Sequence, residues 1–115
     1  MIDNRKHLTR GAFAAVAALL AICASGVSGA EKPTTYTVQI TQMRYDSIPD
    51  HLNAGDTIVW VNKDTVQHTV TAKDHSFDIR IAPGKQQTQT LDKTGTFAFY
   101  CVYHPTMRGT LKVSG

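Results

Sequence analysis

The sequence predicts an all-β domain of seven or eight short strands, a sandwich or a barrel, over residues 31–115. Three observations carry that expectation. Runs of β-branched and aromatic residues alternate at period two. Turn residues (Gly, Pro, Asn, Asp) punctuate these runs at short intervals. No stretch beyond residue 31 keeps a helical period across about eleven residues.

Taken in order, Tyr36–Gln42 places Tyr36, Val38 and Ile40 on one face. The turn signal Ala54-Gly55-Asp56 precedes a strand over Thr57–Asn62. Further strands are expected at His68–Thr71, Ser76–Ile81 and Gln87–Leu91, the last two separated by the turn Ala82-Pro83-Gly84-Lys85. Gly95–Cys101 alternates so that Phe97, Phe99 and Cys101 share a face, and Gly109–Val113 closes the chain. Trp60, Phe77, Phe97, Phe99, Ile58, Val70 and Leu111 are the expected core. A domain of this size buries only a modest one, to which a bound metal would add stability.

The first thirty residues read as a cleavable export signal, leaving residues 31–115 as the functional domain. Arg5, Lys6 and Arg10 supply the positive start, Gly11–Ala24 the apolar stretch, and Ser28-Gly29-Ala30 the small residues before the cut. The apolar stretch is shorter than the roughly 20 residues a membrane-spanning helix needs. Ile22 is too bulky for a lipoprotein cut before Cys23. No membrane insertion of the mature chain is therefore expected. The signal also carries most of the basic excess, leaving +1 of the chain's +3 for the remainder. With no basic stripe left, nucleic acid is excluded as a partner.

Cleavage leaves Cys101 as the lone cysteine, which cannot form an internal disulfide. Exported proteins seldom keep a free thiol, so its neighbourhood decides its role. In Cys101-Val-Tyr-His104-Pro-Thr-Met107 a thiolate, an imidazole and a thioether recur every third residue, where a strand is expected to end and a loop to turn back. His68, at the start of a strand, is the candidate fourth ligand. Two His, one Cys and a weak axial Met describe a trigonal electron-transfer copper site. Zinc takes thioether poorly, and haem attachment by this route needs a second Cys. A cysteine nucleophile with a His base has no use for Met107. His51 and His75 read as solvated loop histidines.

The segment Cys101–Gly109 resembles the copper loop of the cupredoxins, and its spacing is close to the amicyanin form. Plastocyanins and pseudoazurins space the second His and the Met further apart. Gly55–Asn62 followed by His68-Thr-Val is similar to the same pattern, so the resemblance covers about Tyr36 to Val113. It implies a Greek-key β-sandwich holding one type 1 copper ion on His68, Cys101, His104 and Met107. The implied role is a monomeric periplasmic carrier of single electrons between a donor and an acceptor redox protein, not an enzyme. The alternative is a copper carrier or store serving an oxidase or a detoxification system. Two departures stand out. Thr69 occupies the position where the family usually has an Asn that ties two ligand loops together. Tyr103 and Thr106 replace the Pro and Phe that in amicyanin form the apolar docking patch for an amine dehydrogenase.

Overall fold

The computed structural model describes residues 32–115; the expected export signal over residues 1–30 lies outside the described residues. Nine strands and no helix occur among the described residues. They are β1 (Thr35–Thr41), β2 (Arg44–Asp46), β3 (Leu52–Asn53), β4 (Thr57–Asn62), β5 (His68–Ala72), β6 (Asp78–Ile81), β7 (Gln86–Thr90), β8 (Gly95–Cys101) and β9 (His104–Ser114). One sheet has the order β2-β1-β4-β7 and the other β3-β9-β8-β5-β6. The pairs β1–β4 and β3–β9 are parallel. Each therefore needs a crossover between sheets, as in a Greek-key sandwich.

Alternation decides which side chains fill the space between the sheets. Ile58, Trp60 and Asn62 of β4 and Val38 and Ile40 of β1 turn inward and are fully buried. Val70, Phe99, Cys101 and Leu111 meet them from the five-stranded sheet. Trp60 and Phe99 pack edge-to-face at 5.5 Å, and Tyr45 closes on both rings at 5.9 and 4.9 Å, separations at which aromatic quadrupoles attract. Phe77 and Phe97 depart from the expected core. They are only partly buried, pack on one another 6.2 Å apart, and border a cleft between β6 and the end of β7.

The turns follow their residues. Lys85 N–H bonds to Ala82 O at 3.0 Å across Pro83 and Gly84, with Gly84 at φ 73°; Pro then Gly at the centre suits a type II turn. Asp56 is buried because its carboxylate accepts the N–H groups of Thr34 and Asn53, both at 2.8 Å.

The last strand differs from expectation. Residues 104–108, expected in a loop, belong to β9, joined to β8 by a two-residue turn at Val102–Tyr103. The ladder pairs Tyr100 with Arg108 but Cys101 with His104, so Pro105, Thr106 and Met107 have no partners on β8. Proline has no N–H to give a ladder, which favours a bulge here. The bulge leaves Met107 buried and Pro105 and Thr106 exposed.

Candidate metal centre

The centre is built at one end of the five-stranded sheet, where β5 begins and β8 ends. His68 opens β5 and Cys101 closes β8, and both are fully buried. The Nδ1 atom of His68 lies 3.8 Å from Cys101 Sγ. On the other side of its ring, Nε2 meets Asp64 Oδ2 at 2.8 Å. A carboxylate only accepts, so the imidazole proton sits on Nε2 and the Nδ1 lone pair faces the sulfur.

Asp64 holds more than the imidazole. Its Oδ1 accepts Gln42 N–H at 2.8 Å, and Oδ2 accepts Met43 N–H at 3.0 Å. Those two residues form the β1–β2 turn with φ of 54° and 61°, a left-handed pair that normally calls for Asn and Gly. Anchoring by Asp64 offsets the strain. Burial alone raises the Asp64 carboxyl, but the Met43 amide, the His68 imidazole and the Gln42 amide outweigh it and hold the group below the usual carboxylate range. Asn62 steadies the same loop from beneath. Its Nδ2 donates to Val66 O at 2.8 Å and Ile81 O at 3.0 Å, and its Oδ1 accepts Asp64 N–H at 2.9 Å.

Around the sulfur, Thr69 does the work of two residues. Its N–H points at Cys101 Sγ at 3.3 Å, and its Oγ1 accepts Val102 N–H at 3.0 Å. Thr71 gives its hydroxyl proton to Asp78 Oδ1 at 2.8 Å, so Thr69 must donate to Thr71 Oγ1 at 2.9 Å. A directed chain from Val102 to Asp78 results. Threonine thus ties the β5 and β8 ends together where the family usually uses Asn. Tyr45 donates its phenol proton to Thr69 O at 2.5 Å. Burial first, and then the nearby Cys101 sulfur, push that phenol far above its ordinary value.

His104, half-buried at the start of β9, packs its ring edge-on against His68 at 5.3 Å. Met107 is buried in the same core cluster as Cys101. Among the described residues no three His, Cys, Asp or Glu side chains stand at metal-holding spacing. What the structure brings together is the His68–Cys101 pair, with His104 one ring away. His51 and His75 lie exposed elsewhere. A buried sulfur aimed at by an N–H, beside an imidazole whose free nitrogen faces it, suits a soft or borderline cation that binds thiolate. Sequence reasoning missed Asp64 and Tyr45. Asp64 precedes the histidine by four residues, a spacing that carries no signal outside a helix.

Tyr103, half-exposed, sits on the turn beside His104. Its hydroxyl accepts Gln67 Nε2 and Arg80 Nη1, each at 3.2 Å. The position that in amicyanin belongs to an apolar docking patch is therefore occupied here by a hydrogen-bonded phenol.

Comparison with known proteins gives a consistent result. Residues 12–113 match the Cupredoxin-like domain family. Amicyanin from Paracoccus denitrificans is 32% identical over 82 residues, spanning 66% of this chain and 63% of that protein. Amicyanin from Paracoccus versutus is 29% identical over 125 residues, spanning 90% of this chain and 94% of that protein. A solved Cu(I) amicyanin variant superposes with a TM-score of 0.62 at 26% identity, covering 70% of this chain and 82% of that one.

Proposed function

The chain belongs to the cupredoxin-like family, and from that premise we propose that it is a small exported electron carrier whose copper is held by His68, Cys101, His104 and Met107. The family carries one type 1 copper ion, which supplies a one-electron Cu(I)/Cu(II) couple. The observation that carries the reading is the buried Cys101 sulfur, receiving the Thr69 N–H and facing the unprotonated Nδ1 of His68.

Each residue has its part. Cys101 offers the thiolate, and the Thr69 N–H stabilises its charge. Asp64 fixes the His68 tautomer and ring plane, the role carboxylates play behind metal-bound histidines. Met107 is the weak fourth donor, and His104 is the half-buried edge nearest solvent. Fixed on the ends of β5 and β8 and on the bulged start of β9, the donors need little movement when charge changes, which favours fast transfer. On this reading the protein passes electrons between a donor and an acceptor protein and is not an enzyme. Residues 1–30 act as the export signal and residues 31–115 as the copper domain, working as a monomer in the periplasm. Among the described residues no helix is long and apolar enough to cross a membrane.

The test is visible absorption and EPR of residues 31–115 loaded with Cu(II). An intense blue thiolate band with narrow parallel copper hyperfine splitting is the expected result. A pale sample with ordinary tetragonal parameters would replace electron transfer by copper carriage.

A further inference from the structure

Gly109 stands between the candidate centre and the aromatic core, and room, not conformation, explains why it is glycine. Gly55, Gly84 and Gly95 have positive φ, whereas Gly109 does not, so its backbone suits residues with side chains. It opposes Phe99 directly in the β8–β9 ladder, midway between Met107 and Leu111. Alternation turns all three toward the core, where Met107 and Leu111 are buried. A Cβ placed on Gly109 would lie 2.5 Å from Ile48 Cδ1, 2.6 Å from Phe99 Cζ and 3.1 Å from Phe99 Cε1. Carbon atoms settle at about 3.5–4.0 Å from one another, so something would have to yield. At the other described glycines no atom stands closer to such a Cβ than 3.3 Å.

What yields decides what is felt at the centre. Ile48 is half-buried and Cδ1 is the free end of its side chain, so it can turn aside. Phe99 cannot. It is fully buried, with Tyr45 and Trp60 edge-on at 4.9 and 5.5 Å, and a close-packed core leaves the ring no space to retreat. The strand is left to move. Toward the end of the chain, β9 is held to β8 by rungs from Thr110 to Val113. Toward the centre a single rung, Tyr100 with Arg108, precedes the unpaired Met107, Thr106 and Pro105. Displacement at Gly109 therefore passes to Met107. We propose that Gly109 is a positioning residue: the notch it leaves for the Phe99 ring sets how far Met107 reaches toward the Cys101 sulfur. This rests on the electron-carrier reading above, in which the axial donor tunes the copper potential.

Two measurements test the notch. The first is methyl NMR of the protein, before and after loading with diamagnetic Cu(I). Residues 31–115 contain two methionines, Met43 and Met107. Gly109→Ala should move the Met107 methyl signal and leave that of the exposed Met43 in place. Ile48→Val, which removes Cδ1, should preserve most of that movement. Phe99→Leu, which removes Cζ and Cε1, should cancel it, each variant being compared with its own parent. A Met107 signal unmoved by Gly109→Ala would overturn the proposal. Relief by Ile48→Val in place of Phe99→Leu would overturn it as well.

The second measurement is the reduction potential of the copper-loaded protein. A thioether held further off stabilises Cu(II) less, so Gly109→Ala should shift the potential upward while the blue band remains. In a Met107→Leu background the same substitution should lose most of its shift, because the group it acts through is gone. An unchanged potential beside lowered stability would reduce Gly109 to packing and overturn the proposal. A shift that persists in the Met107→Leu background would also overturn it, since the effect would then run through Phe99 and Tyr45 to Thr69. Should Gly109→Ala alone not fold, the Phe99→Leu background carries both measurements with Gly109→Val, whose larger side chain outgrows the added room. Absence of the blue band in the unsubstituted protein would instead reject the electron-carrier reading, and the Met107 signal before loading would still test the notch.

Discussion

The two sheets of the sandwich divide its labour. The four-stranded sheet contributes none of the candidate ligands. It supplies Trp60 and Tyr45 to the core and Asn62 to the loop above it, while the outward residues of β1 and β4 are neutral threonine, glutamine and valine. The five-stranded sheet carries His68, Cys101, His104 and Met107 on three adjacent strands, together with the Thr69–Thr71–Asp78 chain. Support from the first reaches the second at a few points: the Tyr45 hydroxyl on Thr69 O, the Asn62 amide on Val66 and Ile81, and the Asp64 carboxylate, which clamps the β1–β2 turn to His68. A small domain can thus place chemistry at the end of one sheet and leave the opposing sheet to set its rigidity.

The largest effects should separate the two. Cys101→Ser, on the five-stranded sheet, should abolish the intense visible band completely, since residues 31–115 hold no other thiol. Persistence of the band in absorption spectra would remove Cys101 from the site. Trp60→Ala, on the four-stranded sheet, should do the reverse. Loss of a fully buried indole costs about 3–5 kcal/mol, a large part of what a small domain possesses. The folded fraction should nonetheless keep the band unshifted. Chemical denaturation monitored alongside absorption tests this, and a shifted band would show that the frame tunes the centre directly.

Thr69→Val tests the tie within the functional sheet. The substitution keeps the shape but strips the part-buried Val102 N–H of its acceptor and the buried Thr71 hydroxyl of its donor. Leaving such groups unpaired costs about 1–3 kcal/mol. The backbone N–H to Cys101 remains, so the band should stay while stability falls. Thr69→Asn, the family's usual residue, should recover part of the loss in the same denaturation experiment.

Much of this was readable from the chain. Thr57–Asn62 and Gly95–Cys101 coincide with β4 and β8, because alternation and flanking turn residues agree there. Three of the four candidate ligands lie within seven residues, so their spacing could be read directly. Other parts could not be read. Strand β2 escaped because its turn is Gln42-Met43, with no Gly or Asn to announce two left-handed residues; the compensation comes from Asp64, more than twenty residues away. Strand β3 has two residues, too few for any period. Phe77 and Phe97 looked like core by type, yet they border a cleft where β6 and β7, the edges of the two sheets, stand apart. The extension of β9 through Pro105 was hidden because proline argues against a strand, whereas here it sits in the bulge that leaves Met107 buried.

The smallest expected effect concerns the point at which the sheets meet. Asp64→Asn keeps the size of the side chain but cannot accept from Gln42, Met43 and His68 together, since an amide has one oxygen. A cost of about 1 kcal/mol near neutral pH is expected. Its pH dependence is the sharper readout. The folded carboxyl lies below its ordinary value, so its stabilisation is complete above the unfolded pKa of about 3.9 and disappears as pH falls through the folded one. In the copper-free protein the stability gap between wild type and Asp64→Asn should therefore be constant from about pH 7 to 5 and close in stronger acid. A gap that persists unchanged into acid would mean that geometry, not charge, makes Asp64 the clamp between the sheets. The neutral amide would then be as good a partner for the imidazole as the carboxylate, and the fixed His68 tautomer would owe nothing to the charge behind it.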